Sequence, residues 1–543
     1  MSAGVIGPAA GGTSHARRVA VIDLGSNSWR LVVFSYGRGG RWWKRTDELY
    51  EDVRIGAGLA ASGRLSVKAI ARGLETLSVF ARFCRANGLG REDVHAVATS
   101  AIREAANKEQ FLRVAQARSG LRIDVLSEDE EAWLGYVAAA NTSTLRDGIV
   151  LELGGGSLQL IRVAARQAYE RPSFALGAVT LTEELLPGRA PARASELKAV
   201  RARTRDTLAR LEWLRAGVGA TQNGGSPGVG AGNLENRLVG LGGSVRNLAA
   251  AAMHASGFRD LGVQGYVMTR KALAELVGTL AALPVRKRRT VYGIKPGRED
   301  IVLAAALVIE AVVDLGGFQG IEVTEAGLRE GVFFARALFD GESGRSPLFE
   351  DVRRAAVINL AVQYESDMAH VEHVARLSMQ MFDSLGEQEV IHPRPGEREL
   401  LWAAAMLHDV GVSVDYDDHH KHSEYLILAA ELPGFDPRER ALIARIARFH
   451  RKGIPRLGEL ASLTRPGDKE LVSRCAVIVR LAEHLERGHD QAVSQVELSA
   501  DGEGVGLHVD GHEESVALPR WSVERYGDGE AFARVFGREL VIA

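Results

Sequence analysis

The sequence predicts an α/β protein made of two similar half-folds, followed by a helical domain and a small β-rich cap. Three observations predict this. Residues 19–34 read VAVIDLGSNSWRLVVF: an apolar run to Asp23, a tight polar turn, then a second apolar run, which is a strand, a turn and a strand. The pattern returns at residues 149–161, IVLELGGGSLQLI, again with an acid ahead of a Gly/Ser turn. Beyond residues 340–347, which are rich in Gly, Ser and Pro, strand patterns give way to helical ones with clustered histidines.

The two turns carry the chemistry. Asp23 is followed by Gly25, Ser26, Asn27 and Ser28, and Glu152 by Gly154, Gly155, Gly156 and Ser157. Glycine lets backbone N–H groups approach an anion closely, and Ser and Asn add donors. The two acids are expected to hold a cation and the turns to hold phosphates, across a cleft between facing half-folds. A third turn, Gly242, Gly243 and Ser244, sits between an apolar strand and a helix. One such turn is weak evidence; three, each behind a strand, are a stronger signal.

Composition bounds the function. The 543 residues allow about three to four domains. Apolar residues at 46% and charged residues at 25% are ordinary for a soluble globular chain. Lys and Arg number 67 against 69 acids, a net charge of −2, so no global field favours nucleic acid. No run approaches about 18 uninterrupted apolar residues, so no membrane span is expected. Cys84 and Cys475 cannot build a disulfide framework; both read as buried free thiols in a reducing compartment, the cytoplasm.

In chain order, residues 1–17 read as a disordered arm, 18–135 and 136–340 as the half-folds, 348–490 as the helical domain and 491–543 as the cap. Residues 66–86 carry apolar positions at helical spacing, and residues 94–98 form a strand running into a helix that opens at Thr99 and continues to Ala115. Ser127 and Glu130 fit a capping box, which gives Glu130 a structural reason to be there. Glu131 has none from capping, and a solvated first-turn acid is its plain alternative. Residues 195–214 read as one long helix, and residues 217–232 as a flexible Gly-rich insertion. The run Arg286–Arg289 is usually a solvated face. His370 and His373 lie one turn apart on an expected helix at 361–385; His408 and Asp409 close a later one.

Taken together, these motifs resemble the exopolyphosphatase and guanosine pentaphosphate phosphohydrolase (Ppx/GppA) family, in its long form with an HD-type helical domain. DLGSNS, TSAIR, SEDEEA, ELGGGS, GLGGS and EAGLREG occur in the family's order, from about residue 18 to the 480s. The resemblance implies that both half-folds are actin-like domains of the ribonuclease H-like (ASKHA) class. It implies Glu131 as the catalytic base with Glu130 assisting, Arg103 on substrate phosphate, and Asp23 and Glu152 on Mg²⁺, with Mn²⁺ as the alternative ion. The substrate would be inorganic polyphosphate or guanosine pentaphosphate, with the basic run and the helical domain walling its path. A homodimer is expected on the same ground.

Two departures stand out. The family usually has Asp where this chain has Glu152, and Glu where it has Gln159; octahedral Mg²⁺ tolerates misplacement poorly. In active HD phosphohydrolases a spaced His, a His-Asp pair and a later Asp bind metal. His373, His408 and Asp409 match, while Glu483 stands in the last place. Three readings stay open: an exopolyphosphatase, a guanosine pentaphosphate phosphohydrolase, and a polyphosphate-binding regulator with weak activity.

Overall fold

The computed structural model describes residues 16–37, 40–215, 237–258, 261–339, 346–502, 504–511, 516–526 and 528–542. The expected arm up to residue 15, the Gly-rich insertion and most of the 340–347 linker lie outside the described residues. The chain forms two compact units, Met1–Val352 and Arg353–Ala543.

The first unit contains two sheets of one plan. The first is built from β1 (Arg17–Leu24), β2 (Trp29–Tyr36), β3 (Trp43–Glu51), β4 (Val94–Ala98) and β5 (Ile123–Val125), in the order β3-β2-β1-β4-β5. The second uses β6 (Gly148–Leu153), β7 (Leu158–Ala164), β8 (Gln167–Ala168), β9 (Ser173–Phe174), β10 (Arg237–Leu241), β11 (Val267–Thr269) and β12 (Gly320–Val323). Its order is β11-β12-β10-β6-β7-β8, with β9 also on β7. In each, an antiparallel hairpin (β1/β2, β6/β7) is extended by parallel strands (β4 and β5; β10 and β12). The continuous apolar runs of β1 and β6 suit strands covered on both faces. Asp23 and Glu152 are each the penultimate residue of the first hairpin strand, opposite Arg30 and Gln159 respectively. The repeated pattern in the sequence is therefore a repeated topology, with both acids at carboxyl ends of strands, where α/β sheets bind ligands.

Helices Glu128–Ala140 and Leu328–Phe333 share one core with Val21 and Val32 of the first sheet and Val150 and Ile161 of the second. This places the N-terminal turn of Glu128–Ala140 at the junction of the half-folds. Opposite that core, fully buried Trp29 fills the space left by Gly73, where an added Cβ would stand 2.6 Å from the indole.

Three expected helices are interrupted. The one opening at Thr99 divides into Ser100–Glu104 and Lys108–Ser119, because Asn107 turns aside to bond both backbone groups of Leu65. The one at 195–214 divides into Ala194–Leu208 and Glu212–Arg215. The one carrying His370 starts at Met368, after Val352–Gln363 ends. Glu365 has a left-handed φ of 55°, and Asp367 caps the new helix through the amides of Ala369 and His370. The breaks at Asn107 and Asp367 each rest on a polar side chain bonded to backbone, which competes locally with helix continuation.

The second unit packs helices Met368–Glu387, Glu397–Leu407, His419–Ala429, Pro437–Arg448 and Asp468–Leu485. Its last part is not purely β. The sheet β13 (Val493–Asp501), β14 (Gly504–Gly511) and β15 (Glu539–Ile542) is joined by helices Ala517–Arg525 and Asp528–Phe536. One apolar core runs from Val371 and Leu401 through Ile478 to Leu507 and Phe532. Among the described residues no helix is long and apolar enough to cross a membrane.

Candidate active site

The three Gly turns converge on one small cleft of about 130 Å³ in the first unit. Gly25, Ser26, Asn27 and Ser28 line one side; Gly154, Gly155 and Ser157 line the other; Gly242, Gly243 and Ser244 close it. The first two turns touch. Ser26 Oγ lies 3.0 Å from Ser100 Oγ, and a Cβ on Gly156 would stand 2.6 Å from that same Ser100 oxygen. Glycine at 156 is what lets the turns close on each other. Gly242 has φ +103°, a conformation that favours glycine, and it starts helix Gly243–Ala255, whose first residues line the cleft. Asn27 Nδ2 is buried without a hydrogen-bond partner.

Asp23, Glu131 and Glu152 line the same cleft. Burial pushes all three carboxyls up. For Asp23 the arginines at 329 and 30 oppose it. For Glu131 the opposition comes from Arg103 and the Gln159 side chain. Glu152 is pushed to about 8, by burial first and then by the charges of Glu131 and Asp23. Its Oε2 is buried without a hydrogen bond and packs over Gly135, so close that a Cβ there would overlap it. The extra methylene of this acid is thus housed by a missing side chain on the next turn after Glu131.

The structure redistributes the expected roles. Glu131 is buried and fixed by Arg103, whose Nη1 donates to Oε2 at 2.8 Å and to the carbonyl of Leu126 at 3.0 Å. That removes the solvated-acid alternative. Arg103 is bonded to Glu131 behind the cleft lining, and its Nη2 is buried without a hydrogen-bond partner. Glu130 lies outside the cleft lining: its carboxylate accepts from the amide and hydroxyl of Ser127 at 2.9 and 2.8 Å, which completes the capping box and holds its pKa down. The basic run at 286–289 lines no part of the cleft. Arg288 is buried and donates to the carbonyl of Leu280, closing helix Arg270–Ala282.

Sequence reasoning missed four arginines. Arg30, Arg246, Arg298 and Arg329 all line the cleft. Burial lowers the pKa of Arg246 to about 10, with Arg329 and Arg30 adding repulsion. Burial also lowers those of Arg30 and Arg298. Arg329 Nε is buried without a hydrogen bond. A signal was present: Arg246 and Arg329 stand in the first turns of their helices, where a cation opposes the helix dipole and an anion would relieve it.

In the second unit the expected metal set also changes membership. His373 turns toward Glu486 at 3.3 Å and Arg376 at 3.2 Å. His370, one turn earlier, faces Glu483 at 3.0 Å and so joins His408 and Asp409. The helix has one face toward Asp468–Leu485 at this level, and residue 370 is on it.

The model of the "Ppx/GppA phosphatase family" matches residues 44–338, and that of "Ppx/GppA phosphatase, domain III" matches residues 352–521. The guanosine-5'-triphosphate,3'-diphosphate pyrophosphatase of Vibrio vulnificus (strain YJ016) is 27% identical over 90% of this chain and 91% of its own length. Among solved structures, the Aquifex aeolicus member of the Ppx/GppA family is 25% identical with a TM-score of 0.50, over 60% of this chain and 100% of that one. An exopolyphosphatase from Cytophaga hutchinsonii, 22% identical, shares the fold with a TM-score of 0.53, over 61% of this chain and 100% of its own. This chain belongs to the Ppx/GppA phosphatase family.

Proposed function

We propose that the first unit hydrolyses the terminal phosphoanhydride bond of a linear phosphate chain, acting as an exopolyphosphatase with Glu131 as general base. One observation carries this reading: opposed Gly/Ser turns and four arginines surround a buried carboxylate that a fifth arginine holds in place. Phosphoryl transfer asks mainly for alignment and charge neutralisation. Amides of the turns and Arg30, Arg246, Arg298 and Arg329 supply positive donors to the phosphate oxygens. Arg103 fixes one oxygen of Glu131, and this base takes a proton from the water that attacks phosphorus. The two sheets of one plan support the actin-like assignment of the half-folds.

The acids fit a hard divalent cation. Mg²⁺ is typically held by one or two carboxylates, with the remaining positions taken by water and substrate phosphates. Asp23 and Glu152 are the matching pair, and the orphaned Glu152 Oε2 is a free ligand atom. When bound, Mg²⁺ or Mn²⁺ would neutralise charge on the leaving phosphate. The burial that keeps Glu152 protonated near neutrality is what a neighbouring cation would reverse.

A second substrate, guanosine pentaphosphate, is favoured by the name of the Vibrio relative, which this chain matches over nearly its full length. The described cleft lining contains no aromatic ring on which a base could stack, so the cleft itself reads phosphates. Phosphate release from each substrate at equal phosphate concentration, with Mg²⁺ and then Mn²⁺, decides between them. No release from either, with polyphosphate still bound, would leave the regulatory reading.

A further inference from the structure

A cavity of about 730 Å³ opens within the second unit, and none of the clustered histidines lines it. Two helices supply most of its wall. Asp468–Leu485 contributes Glu470, Ser473, Arg474, Val477 and Arg480. Asp528–Phe536 contributes Glu530, Ala531, Arg534 and Val535. Both sets recur at steps of three and four, so each is one helix face. The segments 390–391 and 453–455 complete the lining.

The wall has two characters. Its apolar part is aliphatic except for Phe536, whose ring already stacks on Phe532 with centroids 4.3 Å apart. Ile454, in the same wall, is largely exposed. Its charged part sets Lys469, Arg474, Arg480 and Arg534 against two acids, Glu470 and Glu530. The whole chain carries a net charge of −2, so this excess of cations is local.

Two of the arginines have donors to spare. Arg480 is only 9% exposed. Its Nη2 donates to the carbonyls of Phe449 at 2.8 Å and Gly453 at 3.0 Å, while its buried Nε has no hydrogen-bond partner. Arg474 Nε is likewise buried and unpartnered, and its Nη2 stands 3.7 Å from Glu397, beyond hydrogen-bond reach. Lys469 and Arg534 have no ion-pair partner among the described residues. A buried guanidinium donor left unmade is costly, and an anion beside it removes that cost.

We propose that this cavity binds a small amphipathic anion, a carboxylate or phosphate head on an aliphatic body. Arg474 and Arg480 take the head, since the guanidinium fork matches either group. Arg534 adds charge from the opposite helix, and the aliphatic wall covers the body. Small-molecule sites typically occupy about 300–1,000 Å³ and pair an apolar lining with a few placed polar groups. A nucleotide fits less well, because the one ring in the wall is already stacked. A bare phosphate chain fits less well, because it would leave the aliphatic wall uncovered.

The test is titration calorimetry of the full-length protein with decanoate and with decyl phosphate, each below its micelle concentration. One molecule per chain is expected for at least one of them, and whichever binds identifies the head. Decanol, which lacks the charge, and inorganic phosphate, which lacks the body, should each bind at least about 10-fold more weakly. Arg534→Gln removes a cation that no contact in the fold uses and should weaken binding about 10–100-fold. Ala531→Trp fills the cavity and should abolish binding. No binding of either decyl ligand to the unsubstituted protein would overturn the proposal. So would an affinity unchanged by both Arg534→Gln and Ala531→Trp. AMP or inorganic phosphate binding as tightly as the decyl ligands would also overturn it, the first in favour of a nucleotide and the second of a plain anion patch. None of these outcomes bears on phosphate release by the cleft.

Discussion

The cleft and the histidine cluster both bury ionisable groups, but they present opposite chemistry. The inward atoms of the cleft are mostly donors: turn amides, Asn27 Nδ2 and four guanidinium groups. Its acids are spread out, and among the described residues every three-member metal-ligand group lies in the helical unit. The inward atoms of the cluster are mostly acceptors, carboxylate oxygens and the nitrogens of rings held by backbone bonds, with His408 pushed up to about 9 by Asp409 and Glu483 despite its burial. A surplus of donors suits a polyanion, which brings oxygen ligands for a cation with it. A surplus of acceptors suits cations directly. Burial alone therefore does not identify a metal site; the sign of what faces inward does.

Four experiments can break or sharpen this contrast, in order of falling effect. Glu131→Gln keeps the shape of the base and removes its basicity. Phosphate release should fall about 10²–10⁴-fold, while polyphosphate binding by titration calorimetry persists. Unchanged turnover would remove Glu131 from the mechanism. Next, Arg329→Gln deletes a buried donor with an unpartnered Nε. A charged hydrogen bond is worth about 1.5–3 kcal/mol, so KM for the phosphate chain should rise about 10–100-fold, measured by initial rates. An unchanged KM would take Arg329 out of substrate binding.

The third concerns space. Gly135→Ala forces Glu152 to move and should cost about 1–3 kcal/mol of stability in urea denaturation, as overpacking does. Adding Glu152→Asp, one methylene shorter, should recover most of that loss. Failure of the rescue would mean that Gly135 does not serve Glu152.

The smallest effect is a slope. The fold raises the pKa of Glu152 from 4.5 to about 8, so the protonated form is the one it favours. That stabilisation is complete below about pH 4.5 and lost as pH rises through about 8. Metal-free protein should lose stability between pH 5 and 8, by at most about 1.4 kcal/mol per pH unit from this group. Glu152→Gln should flatten the curve, and an equally steep one would assign the slope elsewhere.

Local features of the site were readable from sequence. The hairpin turns, the capping box at Ser127 and the exceptional position of Glu131 each depend on residues within a few positions of one another. The arginine quartet was not, because Arg30, Arg246, Arg298 and Arg329 come from a strand, two helix starts and a loop that only tertiary packing assembles. The choice between His370 and His373 failed for the same reason. Spacing in a motif fixes which helix bears the ligand, whereas the facing helix fixes which turn is used. The helix breaks after Glu104, Leu208 and Gln363 were hidden because periodicity on either side continued through them.

The hairpin rung that sets Glu152 beside Gln159 couples the two side chains sterically. The two residues are adjacent in space though seven apart in sequence. A longer or shorter acid at 152 changes the space left to its cross-strand neighbour, and Gly135 limits that space from the other side. A change in the length of the acid at 152 therefore has to be accommodated at 159 and 135 together.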